Sequence, residues 1–547
     1  MPSYTSIAAA LLLFWIVKRL FGPRSNSQQG SSFPPGPPPK PLIGNLTDLP
    51  TINAAQTYIE WQKKYNSEIL YASALGGRRV VLNNREDAEE ILDRRAGNYS
   101  DRPVFPIIKR MGWEYQLGFY QYGDKWRFNR KIFQQNFRPH AIQKYQPVQT
   151  QTVHAMLRSL LDSPEKFNDH NKLLSISVPM MTMYGYEVKS LEDPCVVAAD
   201  KSIFLGLKLL APGATFINFF PALAYIPSWF PGASSHKLAD EVKRLTDKME
   251  GIPMAFVKKS VAEGTATPSL VGDFLERKNH GGVTKEEEEA IKNTASTVYG
   301  AASDTTISAT STFFYVMAIN PDVQRKAQAE IDHLTGSKRL PEFQDRPFLP
   351  YIEAIYREVM RFNPPLQVGL PHNASEDDYY KGYFIPKGIL PAYLPDALFN
   401  LSTYSGTSVF ANIWAMTHDE RVYPEPLKFK PERFLDENGN LNDDDRVLAY
   451  GFGRRVCVGK HVASSTMWLI IASVLASFNI SKAKDESGND IEINDEYEDL
   501  SLIQHVFLCF LGGWLLISLY SSHKTKFQCS FTPRSTIVRQ LIEDTAI

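Results

Sequence analysis

The sequence predicts a mostly-α protein with a minor β-sheet domain, on three observations. From Asp87 onward, apolar residues recur at a helical period over most of the chain. Strand patterns are confined to a hairpin over Ile69–Val81, with Gly76-Gly77 at its turn, and to the neighbourhood of residues 380–412. No internal repeat and no second linker divides the 547 residues, so one large unit, residues 42–547, accounts for most of them.

Two segments precede that unit. Residues 1–22 carry the apolar run Ile7–Val17 with no lysine or arginine before it, and Lys18, Arg19 and Arg24 come after. A secretory signal has the opposite order, and cations downstream keep the following chain on the cytosolic side. Counted from Tyr4 to Phe21, with Lys18 and Arg19 snorkelling, the stretch approaches the roughly 20 residues a bilayer requires. It therefore reads as an N-terminal membrane anchor, a buried helix or an atypical signal being the alternatives. Residues 23–41 contain Pro34-Pro-Gly-Pro-Pro-Pro39. Fixed proline φ angles make such a run a stiff hinge, which in isolation also reads as a ligand for a proline-binding module.

Composition closes off other classes. With 59 basic against 60 acidic residues the net charge is −1, no footprint for nucleic acid. Cys195, Cys457, Cys509 and Cys529 show neither metal-type spacing nor a disulfide framework. One cysteine nevertheless stands apart. In Tyr450-Gly-Phe-Gly-Arg-Arg-Val-Cys-Val-Gly-Lys-His461, Cys457 lies between Gly453 and Gly459, and the apolar run beginning at Val462 reads as a helix starting near it. Glycines let a backbone approach something large and flat, and amides at a helix start stabilise a thiolate. Arg455 is placed to reach a carboxylate of the same group.

This segment resembles the haem-binding loop of the cytochrome P450 family, F-x-x-G-x-R-x-C-x-G, with Tyr450 in place of phenylalanine. Val458 and Lys460 stand where many members have proline and arginine. The resemblance extends to Glu358 and Arg361 (E-x-x-R), to Arg433 in the later segment that locks with them, and to Trp126 and Arg130 (W-x-x-x-R). It also covers Ala301-Ala-Ser-Asp-Thr-Thr306 on a long helix opened by Thr284-Lys-Glu-Glu-Glu-Glu289, although Ala302 replaces the usual glycine. It implies a P450 fold with haem b (iron protoporphyrin IX) between the long central helix and the cysteine-loop helix. Cys457 would be the axial iron ligand, set by Gly453 and Gly459. Trp126, Arg130, His372 and Arg455 would contact the propionates, and Asp304 and Thr305 would deliver protons. Glu358, Arg361 and Arg433 would be structural.

The activity implied is insertion of one oxygen atom from dioxygen into a small apolar substrate, a terpenoid, polycyclic aromatic or other secondary metabolite or xenobiotic. Electrons would come from an NADPH–cytochrome P450 reductase, with cytochrome b5 as a further donor. The enzyme would sit on the endoplasmic reticulum membrane, its catalytic domain cytosolic and its sequons at Asn45, Asn98, Asn373, Asn400 and Asn479 bare. A haem-thiolate isomerase or dehydratase, or an inactive splice product, is the alternative. The aromatic, proline-broken segment 209–232 reads as a membrane-dipping entrance, and Phe105, Met111, Trp113 and Phe119 should line the cavity. Two stretches, 389–406 and 506–523, interrupt the family pattern. At 18 residues each they leave 511 of the 547 when removed, an ordinary family length, and we read both as retained introns. A surface loop and a second membrane helix at 506–520 are the alternatives.

Overall fold

Helices form where the apolar period runs and where caps start them. The computed structural model describes residues 32–546 apart from 42, 51, 75–76, 211–214, 216, 218–225, 228, 230–232, 388–406 and 500–520. In chain order these residues form α1 (Ala54–Tyr65), β1 (Ile69–Ala74), β2 (Gly77–Leu82), α2 (Asp124–Phe137), α3 (Gln146–Asp162), α4 (Phe167–Tyr184), α5 (Pro194–Leu210), α6 (Ser234–Ala262) and α7 (Leu270–Asn279). There follow α8 (Lys285–Ile319), α9 (Pro321–Thr335), α10 (Pro350–Phe362), β3 (His372–Asn373), β4 (Asp378–Tyr380), β5 (Tyr383–Ile385) and β6 (Thr407–Ala411). The chain continues through α11 (Lys460–Ser477), β7 (Phe478–Lys482), β8 (Tyr497–Asp499), β9 (Ser522–Lys524), β10 (Cys529–Pro533) and α12 (Thr536–Asp544), with short helical turns between.

The 35-residue α8 is the spine. The Thr284 side chain accepts the Glu287 backbone N–H, and Glu286, Glu287 and Glu288 occupy the first turn, where the helix dipole favours acids. Every residue of α11 from Ser465 to Ser477 is buried, as befits a helix apolar all round. Together with α3, α9, α10, β7 and β10 these two helices enclose the larger core, where Phe313, Phe314, Trp468 and Phe478 are fully buried. Emptying the Trp468 site would cost about 3–5 kcal/mol. The expected hairpin forms, Ile69 pairing with Leu82, and extends into a sheet of order β1-β2-β6-β3 in which β6 runs parallel to β2.

Three expectations change here. The last part of the hinge packs against the sheet, which its stiffness alone did not announce. Phe33 stacks on Tyr71 at 4.6 Å, Tyr71 N–H donates to Pro35 O, and a Cβ on Gly36 would lie 1.9 Å from Tyr71 O. A glycine is therefore required where the hinge crosses β1. Met111 and Trp113 do not line a cavity either. They are buried, with Trp113 Nε1–H donating to Thr246 Oγ1 on α6 at 3.1 Å and its ring filling the space over Gly206 of α5. Phe105 and Phe119 remain half-buried and meet edge to face. Finally, Ser522 and His523, the last two residues of the stretch 506–523, belong to β9 and pack on α8.

The anchor 1–22, most of the entrance 209–232 and the whole of 389–406 lie outside the described residues. Among the described residues, no helix is long and apolar enough to cross a membrane. Asn45 is buried with its side-chain N–H donating to Pro37 O at 2.8 Å, which leaves no room for a glycan there.

Candidate functional site

The cysteine loop is pinned from both ends. Cys457 N–H donates to Tyr450 O at 2.8 Å, and Tyr450 is tied by its hydroxyl to Tyr356 of α10 at 2.9 Å. Gly453 adopts φ +58°, and a Cβ there would lie 2.0 Å from Leu92 O. Its missing side chain thus makes room for the neighbouring helical turn, while its N–H donates to Asp93. Gly459 caps α11, and an added Cβ would sit 3.9 Å from Cys457 Sγ, an ordinary contact.

Cys457 is exposed to a cleft of about 520 Å³ whose walls include Arg130, Phe137, Lys460 and His461. Protein crowds the thiol on its other sides. Burial leaves its pKa raised, and the backbone N–H groups of Gly459 and Lys460, with the Arg130 and Lys460 charges, offset only part of that rise. Those amides and cations are the groups that would stabilise a thiolate against the burial.

Arginines gather beside it. Arg130 of α2 donates to Val456 O at 2.7 Å, and Arg455 donates to Ser100 O and Tyr120 O, each at 2.7 Å. The Arg455 guanidinium lies 4.5 Å from the Trp126 ring and that of Arg130 5.9 Å from it. Arg102, which no motif marked, is buried and donates to Leu370 O and Pro371 O at 2.8 and 2.6 Å. Burial lowers all three pKa values, Arg102 to about 9 and Arg455 to about 10. His372 is buried with Nδ1 2.7 Å from Tyr99 O, and burial first, then Arg102, holds it well below the ordinary histidine range.

Among the described residues, Arg102 Nε, Arg130 Nε and Arg455 Nη1 are buried without a protein partner. Asp101 is the acid that interacts with the charges of Arg102 and Arg455. Buried cations with orphaned donors call for an anion. The donor set therefore fits a group carrying carboxylates beside Cys457, as iron protoporphyrin does.

On α8, Ala301 is exposed in the middle of a helix otherwise largely buried, and Ala302, Asp304, Thr305 and Thr306 are half-buried around it. The helix runs unbroken through Ala302. Thr305 Oγ1–H donates to Ala301 O at 3.1 Å, and Asp304 Oδ1 lies 3.0 Å from His523 Nε2 of β9. Glu358, Arg361 and Arg433 meet elsewhere, as a buried cluster under α10. The Glu358 carboxylate accepts from Arg361 Nε at 2.6 Å and Arg433 Nε at 3.1 Å. Among the described residues no group of three or more His, Cys, Asp or Glu side chains could hold a metal ion. Sequence reasoning missed Arg102 and His523, whose partners are far away along the chain.

The family model for cytochrome P450 matches residues 34–507. The chain is 37% identical to cytochrome P450 monooxygenase COX2 of Coprinopsis cinerea over 95% of this chain and 92% of that protein. It is 34% identical to cytochrome P450 monooxygenase ple1 of Rhodocybe pseudopiperita, covering 99% and 97%. Tryptamine 4-monooxygenase of Psilocybe cyanescens shares 33% identity over 92% and 94%.

Proposed function

Because the chain belongs to the cytochrome P450 family and is a monooxygenase by that membership, we propose that it oxygenates a small apolar substrate at the surface of the endoplasmic reticulum. One observation carries the reading. Cys457 opens to a cleft at the start of α11, near Arg102, Arg130 and Arg455, each of which holds one buried nitrogen without a protein partner. Cys457 would hold haem b by its iron, and Arg102, Arg130, His372, Arg455 and Trp126 would hold its propionates. The bound haem-thiolate supplies dioxygen activation, its thiolate donating electron density toward O–O cleavage.

The remaining work falls to this chain's own groups. Asp304 and Thr305 hold an acid and a hydroxyl on the open face of α8. A proton entering at the Asp304 carboxylate passes to Thr305 Oγ1, whose hydrogen turns from the Ala301 carbonyl toward the reacting oxygen. Ala301 and Ala302 keep that stretch free of bulk. Residues 1–22 anchor the enzyme with its catalytic domain cytosolic, and NADPH–cytochrome P450 reductase delivers electrons, cytochrome b5 assisting. The substrate is a terpenoid, a polycyclic aromatic or another secondary metabolite or xenobiotic. One relative is named for oxygenating tryptamine, so tryptamine belongs in the screen.

Two measurements test this. The reduced protein should give the carbon-monoxide difference band of a thiolate ligand, and with reductase and NADPH it should convert a member of a terpenoid, polycyclic and indolic panel. Thr305→Ala should keep the band while NADPH consumption ends in hydrogen peroxide, product falling by about 10²-fold or more. An absent thiolate band, or full coupling in Thr305→Ala, defeats the reading.

A further inference from the structure

Asp304 lies on the open face of α8, and its carboxylate is met by a strand that no motif announced. Residues 522 and 523 of β9 run along the helix face that carries Asp304 and, one turn on, Ser308. Ser308 Oγ–H donates to Ser522 O. Ser522 is fully buried, its N–H donating to Pro365 O at 2.7 Å, and Gln367 Nε2–H donates to its Oγ at 3.0 Å. Asn363 Nδ2–H reaches Ser522 O at 3.4 Å. On the other side Lys524 donates to Asn494 Oδ1 and Glu496 O at 2.8 and 2.9 Å. His523 thus sits between Ser522, held through its backbone and hydroxyl, and Lys524, held through its ammonium group.

That side chain places Nε2 3.0 Å from Asp304 Oδ1, with the histidine side chain 14% and the aspartate 17% exposed. An ionised carboxylate only accepts, so Nε2 carries the hydrogen and donates. Hydrogen bonds to charged groups in a partly desolvated site are among the stronger ones. We propose that His523 is a positioning residue for the oxygenation: held by β9, it fixes the Asp304 carboxylate in the orientation that serves Thr305. The inference rests on the acid–alcohol reading above and extends it to a residue outside α8. It also gives β9 a functional reason for its place against the helix.

The test uses the haem-loaded full chain with reductase and the panel compound turned over fastest, measuring product per NADPH and hydrogen peroxide. His523→Ala should lower coupling by roughly tenfold, the size of one charge-assisted hydrogen bond, with the thiolate band and haem content unchanged. His523→Gln keeps a donor N–H and should recover most of the loss, which a merely structural role would not predict. The double variant His523→Ala/Asp304→Ala should couple no worse than Asp304→Ala alone. A readout free of turnover is carbethoxylation of His523 followed by mass spectrometry. It should quicken in Asp304→Ala, because the occupied Nε2 is released.

Parental coupling in His523→Ala, or losses in the double variant that multiply, would overturn the inference. Should His523→Ala lose haem, His523→Gln decides: good coupling supports the role, and poor coupling with an intact thiolate band refutes it. Uncoupling in Thr305→Ala but not in His523→Ala leaves the monooxygenase reading standing without this residue. Full coupling in both Thr305→Ala and Asp304→Ala removes the reading and the inference together.

Discussion

Glu358→Ala is the perturbation whose cost the structure defines most closely. The carboxylate accepts from Arg361 Nε and Nη2 at 2.6 and 2.9 Å, from Arg433 Nε at 3.1 Å and from the Lys430 backbone N–H at 2.8 Å. The side chains of Glu358, Arg361 and Arg433 are 0%, 3% and 8% exposed. Removing the acid leaves two guanidiniums buried with no carboxylate between them, and breaking a buried pair from one side costs about 3–5 kcal/mol. Part of each arginine stays satisfied. Arg361 also donates to Thr417 O and Pro426 O at 2.8 and 2.9 Å, and Arg433 reaches Pro424 O at 3.1 Å. The residual bonds place the expected loss nearer 3 than 5 kcal/mol, a large share of a net stability of roughly 5–15 kcal/mol. Denaturant unfolding followed by tryptophan fluorescence, with haem content measured in parallel, reads it. A loss below about 1 kcal/mol, the level of an exposed pair, would show that the cluster does not hold the segment leading to the cysteine loop. Arg433→Ala should cost less, because it gives up one bond to Glu358 and keeps the acid paired with Arg361.

Cys457→Ala should abolish the thiolate difference band while melting changes little, and retention of the band would transfer the ligand role elsewhere. Arg102→Met should lower haem retention during gel filtration, since it removes one of three buried donors, and unchanged haem occupancy would place the propionates away from it. His418, stacked on Trp414 at 3.7 Å, is held down to about 3 by burial first and by Arg361. The folded state therefore binds no proton there between about pH 6.5 and 3 while the unfolded state does, so stability falls with pH in that window by up to about 1.4 kcal/mol per unit. His418→Gln should flatten that acid limb of the stability curve, and an unchanged slope would refute the assignment. Deleting residues 389–406 or 503–520 should leave the thiolate band intact, and loss of haem on deletion would show that the stretch is required.

How far the sequence could be read depended on whether a signal is local. The start of α8 was legible because Thr284 and the acids of its first turn are neighbours along the chain, and α11 because an apolar run follows Gly459. Glu358 and Arg361, three residues apart on one helix face, announce each other. Arg102 does not, since its acceptors are the backbone carbonyls of Leu370 and Pro371, where any residue type supplies the same oxygen. His523 meets Asp304 only after β9 has been laid against α8. Gly453 shows a subtler limit. Its glycine identity was assigned to a flat bound group, whereas the contact that excludes a side chain is the Leu92 carbonyl of its own chain. Trp113 was misplaced for a related reason: an aromatic in a loop suits a cavity wall or a core equally well, and Gly206 decides in favour of the core.

The register of the strands bears on the two stretches that interrupt the family pattern. Asp499 pairs with Ser522, Glu498 with His523 and Tyr497 with Lys524, so 22 residues join the two strands of a tight antiparallel pair. Hairpin connections are usually about 2–5 residues long, and removing 18 from these 22 leaves four. Between β5 and β6 lie 21 residues, and the same excision leaves three. Two independent joints thus return to ordinary loop lengths when the same number of residues is taken out, as the retained-intron expectation requires. The packing of Ser522 bears on where a second cut could fall. Excising 506–523 would put Gln504 at the position of Ser522, whose side chain has no exposure and whose hydroxyl is matched to Gln367. A longer side chain there would overpack the contact between β9 and α8, at about 1–3 kcal/mol. An 18-residue cut over 503–520 keeps Ser521, Ser522 and His523, whereas the cut over 506–523 puts His505 at the position of His523 and loses only the serines. Of the two shortened chains, the one that keeps Ser522 should melt higher, and the reverse order would show that β9 tolerates a different register.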